Sequence, residues 1–152
     1  MITPHIVVGD AAAAADWYAR VLGAEELMRI PAPGGTPKGR LMSVELRFGD
    51  AKLMLADEFP EMGIVSPKML GGTYMALHLM VEDVDAAWLR ALDGGAEVFH
   101  PLRDSFWGER TGQIIDPFGH RWSLAQHLRD VSREEILRGA EEMFAATDDE
   151  RN

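Results

Sequence analysis

Pro4-His5-Ile6-Val7-Val8-Gly9-Asp10, followed by an alanine-rich segment and Gly23-Ala24-Glu25, returns later as Leu77-His78-Leu79-Met80-Val81-Glu82-Asp83, a second such segment and Gly95-Ala96-Glu97. The spans from Val8 to Val81 and from Gly23 to Gly95 differ by one residue, so the chain is written twice. His5 and His78 therefore hold the same place in each copy. The later parts match as well: Phe48-Gly49-Asp50-Ala51-Lys52-Leu53-Met54-Leu55-Ala56 aligns with Phe118-Gly119-His120-Arg121-Trp122-Ser123-Leu124-Ala125, with one residue of slack after the glycine. A solenoid needs about three or more stacked repeats. Two copies imply instead a duplicated module whose halves face each other.

Within the first copy, residues 3 to 8 read as a strand. Asp10 is placed to cap a helix carrying Ala14, Trp17, Tyr18 and Val21 at helical spacing, and Gly23 stops it. A second strand leads into a loop from Pro31 to Gly39, rich in proline and glycine. Leu41 to Phe48 and Lys52 to Ala56 then form two strands joined at Gly49-Asp50, which completes a β-α-β-β-β unit. The first module spans 3–58, the second 74–127, and 59–73 links them. Both lie in one domain over 1–128. The linker's apolar content implies that it rests on something. Val131-Ser132-Arg133-Glu134-Glu135 has the form of a capping box, opening a C-terminal helix over 129–146, with 147–152 as a frayed tail.

The composition narrows the functions. The 152 residues, 47% hydrophobic, suffice for one ordinary core. No run approaches the ~18 to 20 apolar residues of a membrane helix and no leader precedes the first strand, so the expected address is the cytoplasm, away from membranes. Zero cysteines remove disulfides, thiolate metal sites and thiol nucleophiles. A net charge of −10 without a basic cluster argues against nucleic acid as partner. No phosphate-cradling glycine loop lies between a strand and a helix, and no serine nucleophile elbow is present.

Tandem β-α-β-β-β units in a chain of this length come with four further stretches, Leu55-Ala56-Asp57-Glu58-Phe59-Pro60-Glu61, Val81-Glu82-Asp83-Val84-Asp85-Ala86-Ala87, Phe106-Trp107-Gly108-Glu109-Arg110 and Asp116-Pro117-Phe118-Gly119-His120-Arg121-Trp122-Ser123-Leu124. Together these resemble the vicinal oxygen chelate superfamily, which includes glyoxalase I, bleomycin resistance proteins and extradiol dioxygenases, and within it the PhnB-like branch. The likeness implies an α+β fold in which the two modules form an eight-stranded cup around a ligand, with the C-terminal helix added. The modules pair either within a chain or across a swapped homodimer. The fold hosts metalloenzymes and metal-free binding proteins alike, so function must be argued from the site.

Metal-binding members carry ligands on the first and last strand of each module. The resemblance places those slots at Thr3, Ala76, Met54 and Ser123, none of which suits a hard or borderline divalent ion. His5 and His78 lie two residues further along the same strands and share the cup face. A metal displaced by one step would find them beside Ala56 and Ala125, completed only by a residue such as Glu45. No metal and no cofactor are expected.

Strand parity puts Met42, Val44, Leu46 and Phe48 under the helices and Ser43, Glu45 and Arg47 on the cup face. Glu45 is then the best general-base candidate, against the alternative of a solvated carboxylate paired with Arg47. Met54 and Met80 also fall on the cup face, where soft side chains suit an apolar ligand. Trp107 and Arg110 offer an aromatic wall and a cation, against the alternative that Trp107 plugs the cup's end and Arg110 pairs with Asp116. Asp116-Pro117-Phe118-Gly119 reads as a turn in which Asp116 bonds backbone amides. His100, His120 and His127 are expected to be exposed.

Two functions compete. The first is a metal-independent binding protein that takes a small apolar or aromatic, antibiotic-like molecule with His5, His78, Glu45, Met54, Met80, Trp107, Arg110 and Ser123. The alternative is a glyoxalase, lyase or dioxygenase-type enzyme built on the displaced His5 and His78. Ile136, Leu137, Ala140, Met143 and Phe144 form an apolar stripe that makes homodimer packing a further expectation.

Overall fold

A computed structural model describes residues 1–34 and 39–151. Gly35 to Lys38, the centre of the expected loop, and Asn152 lie outside the described residues. The order is β1 (His5–Val8), α1 (Ala11–Leu22), β2 (Glu25–Pro31), β3 (Leu41–Phe48), β4 (Ala51–Asp57), α2 (Pro67–Leu70), β5 (Ala76–Met80), α3 (Val84–Asp93), β6 (Glu97–Asp104), β7 (Glu109–Ile115), β8 (Arg121–His127) and α4 (Arg133–Asp149). A 3-10 turn at Pro60–Met62 precedes α2. Two four-stranded sheets result, ordered β1-β4-β3-β2 and β5-β8-β7-β6, each with one parallel pair between its first and last strands. The fold is therefore α+β, two βαβββ modules followed by a C-terminal helix.

The caps follow the local chemistry. The Asp10 carboxylate accepts from Ala13 N and the Asp83 carboxylate from Ala86 N, while Gly23 ends α1 at φ 77°, a conformation that penalises side chains. Ser132 accepts from Glu135 N at the start of α4, which runs on to Asp149, past the expected end at Ala146. The helix carries no buried residue, and Leu137, Met143 and Phe144 are all exposed. In the linker Phe59 and Pro67 are buried, whereas Met62, Met69 and Leu70 are exposed, so only part of it rests on the body.

The modules face each other through their helix-bearing sides. One continuous core takes in α1, α3 and the convex residues of both sheets, Val44, Leu46 and Leu55 from the first and Ile114, Trp122 and Leu124 from the second. The rings of Phe48 and Trp122 lie 5.7 Å apart across the join, and those of Tyr18 and Trp122 lie 5.2 Å apart. Trp17 Nε1 donates to Gly94 O at 2.8 Å and Arg90 Nε to Val21 O at 3.1 Å. Because the convex faces share this core, the concave face of each sheet is turned away from it.

Two expectations about the framework fail. Met42, assigned to the core by parity, is exposed, because Ile30 pairs with Ser43 and Pro31 with Leu41. Two residues of β3 thus oppose one step of β2, and the bulge turns Met42 out while Leu41 goes in. His120, expected to be exposed, is buried, with Nε2 donating to Val7 O at 2.8 Å. That carbonyl lies on the free edge of β1, and the second module supplies its partner.

Candidate functional site

Asp116 fixes the turn from which β8, the strand under the second concave face, departs. Its Oδ1 accepts from Phe118 N and His120 N, and its Oδ2 from Trp122 Nε1 at 2.8 Å and the Tyr18 hydroxyl at 2.6 Å. Gly119 completes the turn at φ 93°. The burial of Tyr18, followed by the charge and hydrogen bond of Asp116, pushes its hydroxyl pKa well above 10. Asp116 therefore does not pair with Arg110, and it ties α1 of one module to the last strand of the other.

On the second sheet, registers His78↔Ser123, Gln113↔Ser123 and His100↔Gln113 place one row across all four strands. His78 Nδ1 lies 3.0 Å from Ser123 Oγ, and Ser123 is buried. A second row joins Met80, Ala125, Thr111 and Arg103. A cavity of about 350 Å³ opens over this surface, lined by His78, His100, Pro101, Arg103, Trp107, Glu109, Thr111, Gly112, Gln113 and Ser123. Every lining residue belongs to the second module.

Trp107 stands at one end of this cavity, held from several sides. Its Nε1 donates to Glu109 Oε2 at 2.9 Å, and the Phe106 ring meets it edge-on at 4.9 Å. The chain leaving β8 then locks the loop. Leu128 N and Arg129 N both donate to Gly108 O, and a Cβ at Gly108 would lie 2.2 Å from Arg129 O. Only glycine permits that approach, which accounts for the Trp-Gly pair in the sequence. Helix α4 packs against the other side of Phe106 at Gly139, where a Cβ would meet the ring at 2.6 Å.

The first sheet carries a smaller constellation. His5 pairs with Met54, Met54 with Glu45 and Glu45 with Met28, so these four share one concave row. Glu45 is bound by Lys52, and Arg47 by Glu25. The expected Glu45–Arg47 pair is replaced, and the carboxylate proposed as a base already has a cation on it. Met28 is 52% exposed, a soft apolar side chain on an open wall.

Of the residues picked from sequence, His78, Trp107 and Ser123 meet in the cavity, Met80 lies on the same face beside Ala125, and His5, Glu45 and Met54 meet on the other sheet. Arg110 does not belong with them. It alternates with Glu109 and Thr111, so it points to the helix side, where it binds Asp85 of α3 at 2.9 Å and Asp104 at 3.0 Å. His100, Arg103 and Gln113 were not singled out as ligand-binding residues. Strand β6 shifts register on each side of His100, which puts His100 and Arg103 on one face although they are three residues apart. Parity counting fails at such bulges.

The donor set does not fit a resident divalent ion. His5 and His78 have Met54 and Ser123 as row partners, not Ala56 and Ala125, which pair with Val7 and Met80. Among the described residues no three His, Cys, Asp or Glu side chains converge as a metal group. Neither a thioether nor a hydroxyl replaces the carboxylate or imidazole that such ions take.

Residues 2–124 match the model of a family described as the Glyoxalase/Bleomycin resistance protein/Dioxygenase superfamily. The uncharacterised protein Mb0911c of Mycobacterium bovis is 45% identical over 138 residues, which cover 89% of this chain and 88% of that protein. Among solved structures, TioX from Micromonospora sp. ML1 is 26% identical with a TM-score of 0.62, over 87% of this chain and 99% of its own. TnmS3 from Streptomyces sp. CB03234, an antibiotic binding protein, is 24% identical with a TM-score of 0.59, over 82% and 93%. The PhnB protein of Bacillus cereus shares the fold at 16% identity and a TM-score of 0.65, over 82% and 98%.

Proposed function

As the chain belongs to the glyoxalase/bleomycin resistance protein/dioxygenase superfamily, we propose that it is a cytoplasmic, metal-independent binding protein for small, flat, partly apolar molecules. It works as a homodimer, in which the concave first sheet of one chain closes over the concave second sheet of its partner. The observation that carries this reading is the placement of the walls. The cavity beside Trp107 is lined from one module alone, while His5, Met28, Glu45 and Met54 form a separate row on the other sheet, outside that lining. A second chain brings such walls together, and the methionines let the closed cup adapt to its occupant. The donor set at the strand slots supports binding without a resident metal. The fold of TnmS3, named as an antibiotic binding protein, supports the ligand class.

Complementation between two defective chains tests this directly. Met54→Glu spoils the first concave wall and Trp107→Ala the second, so neither homodimer should bind the neutral probe 2-naphthamide. Mixed and re-equilibrated, they form a heterodimer with one intact cup, and calorimetry should recover about one site per heterodimer. Failure of the mixture to bind, with wild type binding, would contradict the cross-chain cup.

A further inference from the structure

The cavity over the second sheet contains an arginine that forms no ion pair among the described residues. Five arginines are carried by the strands, and four are engaged. Arg29 binds Glu26 and Asp16, Arg47 binds Glu25, and Arg110 binds Asp85 and Asp104. Arg121 donates to Tyr74 O and lies over the Phe99 ring. The guanidinium of Arg103, which lines the cavity, has neither an ion pair nor a hydrogen bond among the described residues.

Its neighbours explain why it stays available. Asp104, next in sequence, is on the opposite face and is taken by Arg110. Glu109 lines the same cavity and keeps its charge, one carboxylate oxygen accepting from Trp107 Nε1, but it forms no ion pair with Arg103. In a chain with 25 acidic and 15 basic residues, a guanidinium left without an ion pair in a concavity is open to a partner from outside the chain. Arg103 pairs with Thr111, one row from Glu109 and the Trp107 end, whereas His78 and Ser123 lie in the row of Gln113 at the other end.

We propose that this cavity takes a planar aromatic oxyanion, an aryl carboxylate or phenolate, whose charged oxygens are held by Arg103 beside the wall formed by Trp107. The guanidinium's planar fork matches two coplanar oxygens, which a lysine would not do. His78 and Ser123 then meet the polar groups at the far edge of the ring system. The assignment rests on the binding-protein reading above and adds to it the charge of the ligand.

The test compares 2-naphthoate with its neutral counterpart 2-naphthamide, by calorimetry at low ionic strength, on wild type, Arg103→Gln and Trp107→Ala. Wild type should bind the carboxylate about tenfold or more tightly than the amide. Arg103→Gln should abolish that preference while leaving the amide within about twofold, which also shows that the variant is folded. Trp107→Ala should weaken both probes. Equal binding of the two by wild type, or an equal loss of both in Arg103→Gln, would overturn the oxyanion assignment and leave the aromatic cavity standing. Binding of neither probe, or binding untouched by Trp107→Ala, would remove the cavity reading together with it.

Discussion

A single carboxylate, Asp116, joins the halves of this molecule, and its chemistry was half legible. Asp116-Pro117-Phe118-Gly119 announces a turn whose amides the carboxylate binds, as observed. The Tyr18 and Trp122 donors are invisible in the sequence, because Tyr18 is remote from Asp116 and reaches it only after the modules dock. Tyr18→Phe should destabilise the fold by about 1.5–3 kcal/mol in urea unfolding, the range for a hydrogen bond to a charged group. The hydroxyl also has a pH signature. Its folded pKa is raised, so the folded state holds this proton more tightly than the unfolded chain. The contribution is complete below about pH 10 and falls as pH rises above it, and Tyr18→Phe should flatten that alkaline limb. An unchanged pH profile in the variant would show that another group drives it. Arg110 teaches the converse lesson, since its place in the Phe106–Arg110 motif suggested a ligand contact and strand alternation sends it to Asp85.

At the scale of elements, the helices and the inner strands could be read because caps and alternation agree at Asp10, Gly23, Asp83 and Ser132. The outer strands were legible as strands, but the facing of their side chains was not. β2 and β6 each break register, and their residues are exposed along most of their length, so burial gives no periodic signal to count. His100 and Arg103 were lost from the site for this reason, and Met42 was misplaced into the core for the same one. Helix α4 has a role beyond covering surface, since Gly139 supports Phe106 and Phe106 supports Trp107. Removal of residues 132–152 should cost about 1 kcal/mol of stability or less, as no side chain of the helix is buried. It should nevertheless weaken 2-naphthamide binding several-fold by loosening the wall at Trp107. A large loss of stability with affinity unchanged would reverse that assignment.

The whole molecule is two half-cups set back to back. The duplication around His5 and His78 disclosed the modules, but the sequence repeat is silent on how they meet. The docking depends on Trp17, Tyr18, Arg90, His120 and Trp122: Trp17 and Arg90, spaced as Val8 and Val81 are, donate reciprocally to Gly94 and Val21, while Tyr18, His120 and Trp122 add contacts that are not reciprocal. On the proposed reading, a partner chain supplies the second wall of each concave face. The row partners of His5 and His78, Met54 and Ser123, offer a metal neither carboxylate nor imidazole. On the proposed reading the ligand is captured without a resident metal. Calorimetry of 2-naphthoate binding to protein stripped with EDTA, and to the same protein after addition of Zn²⁺, Mn²⁺ or Fe²⁺, should give the same affinity and stoichiometry in every sample. Binding that disappears on stripping and returns with one of these ions would instead show that the ligand is held through a metal.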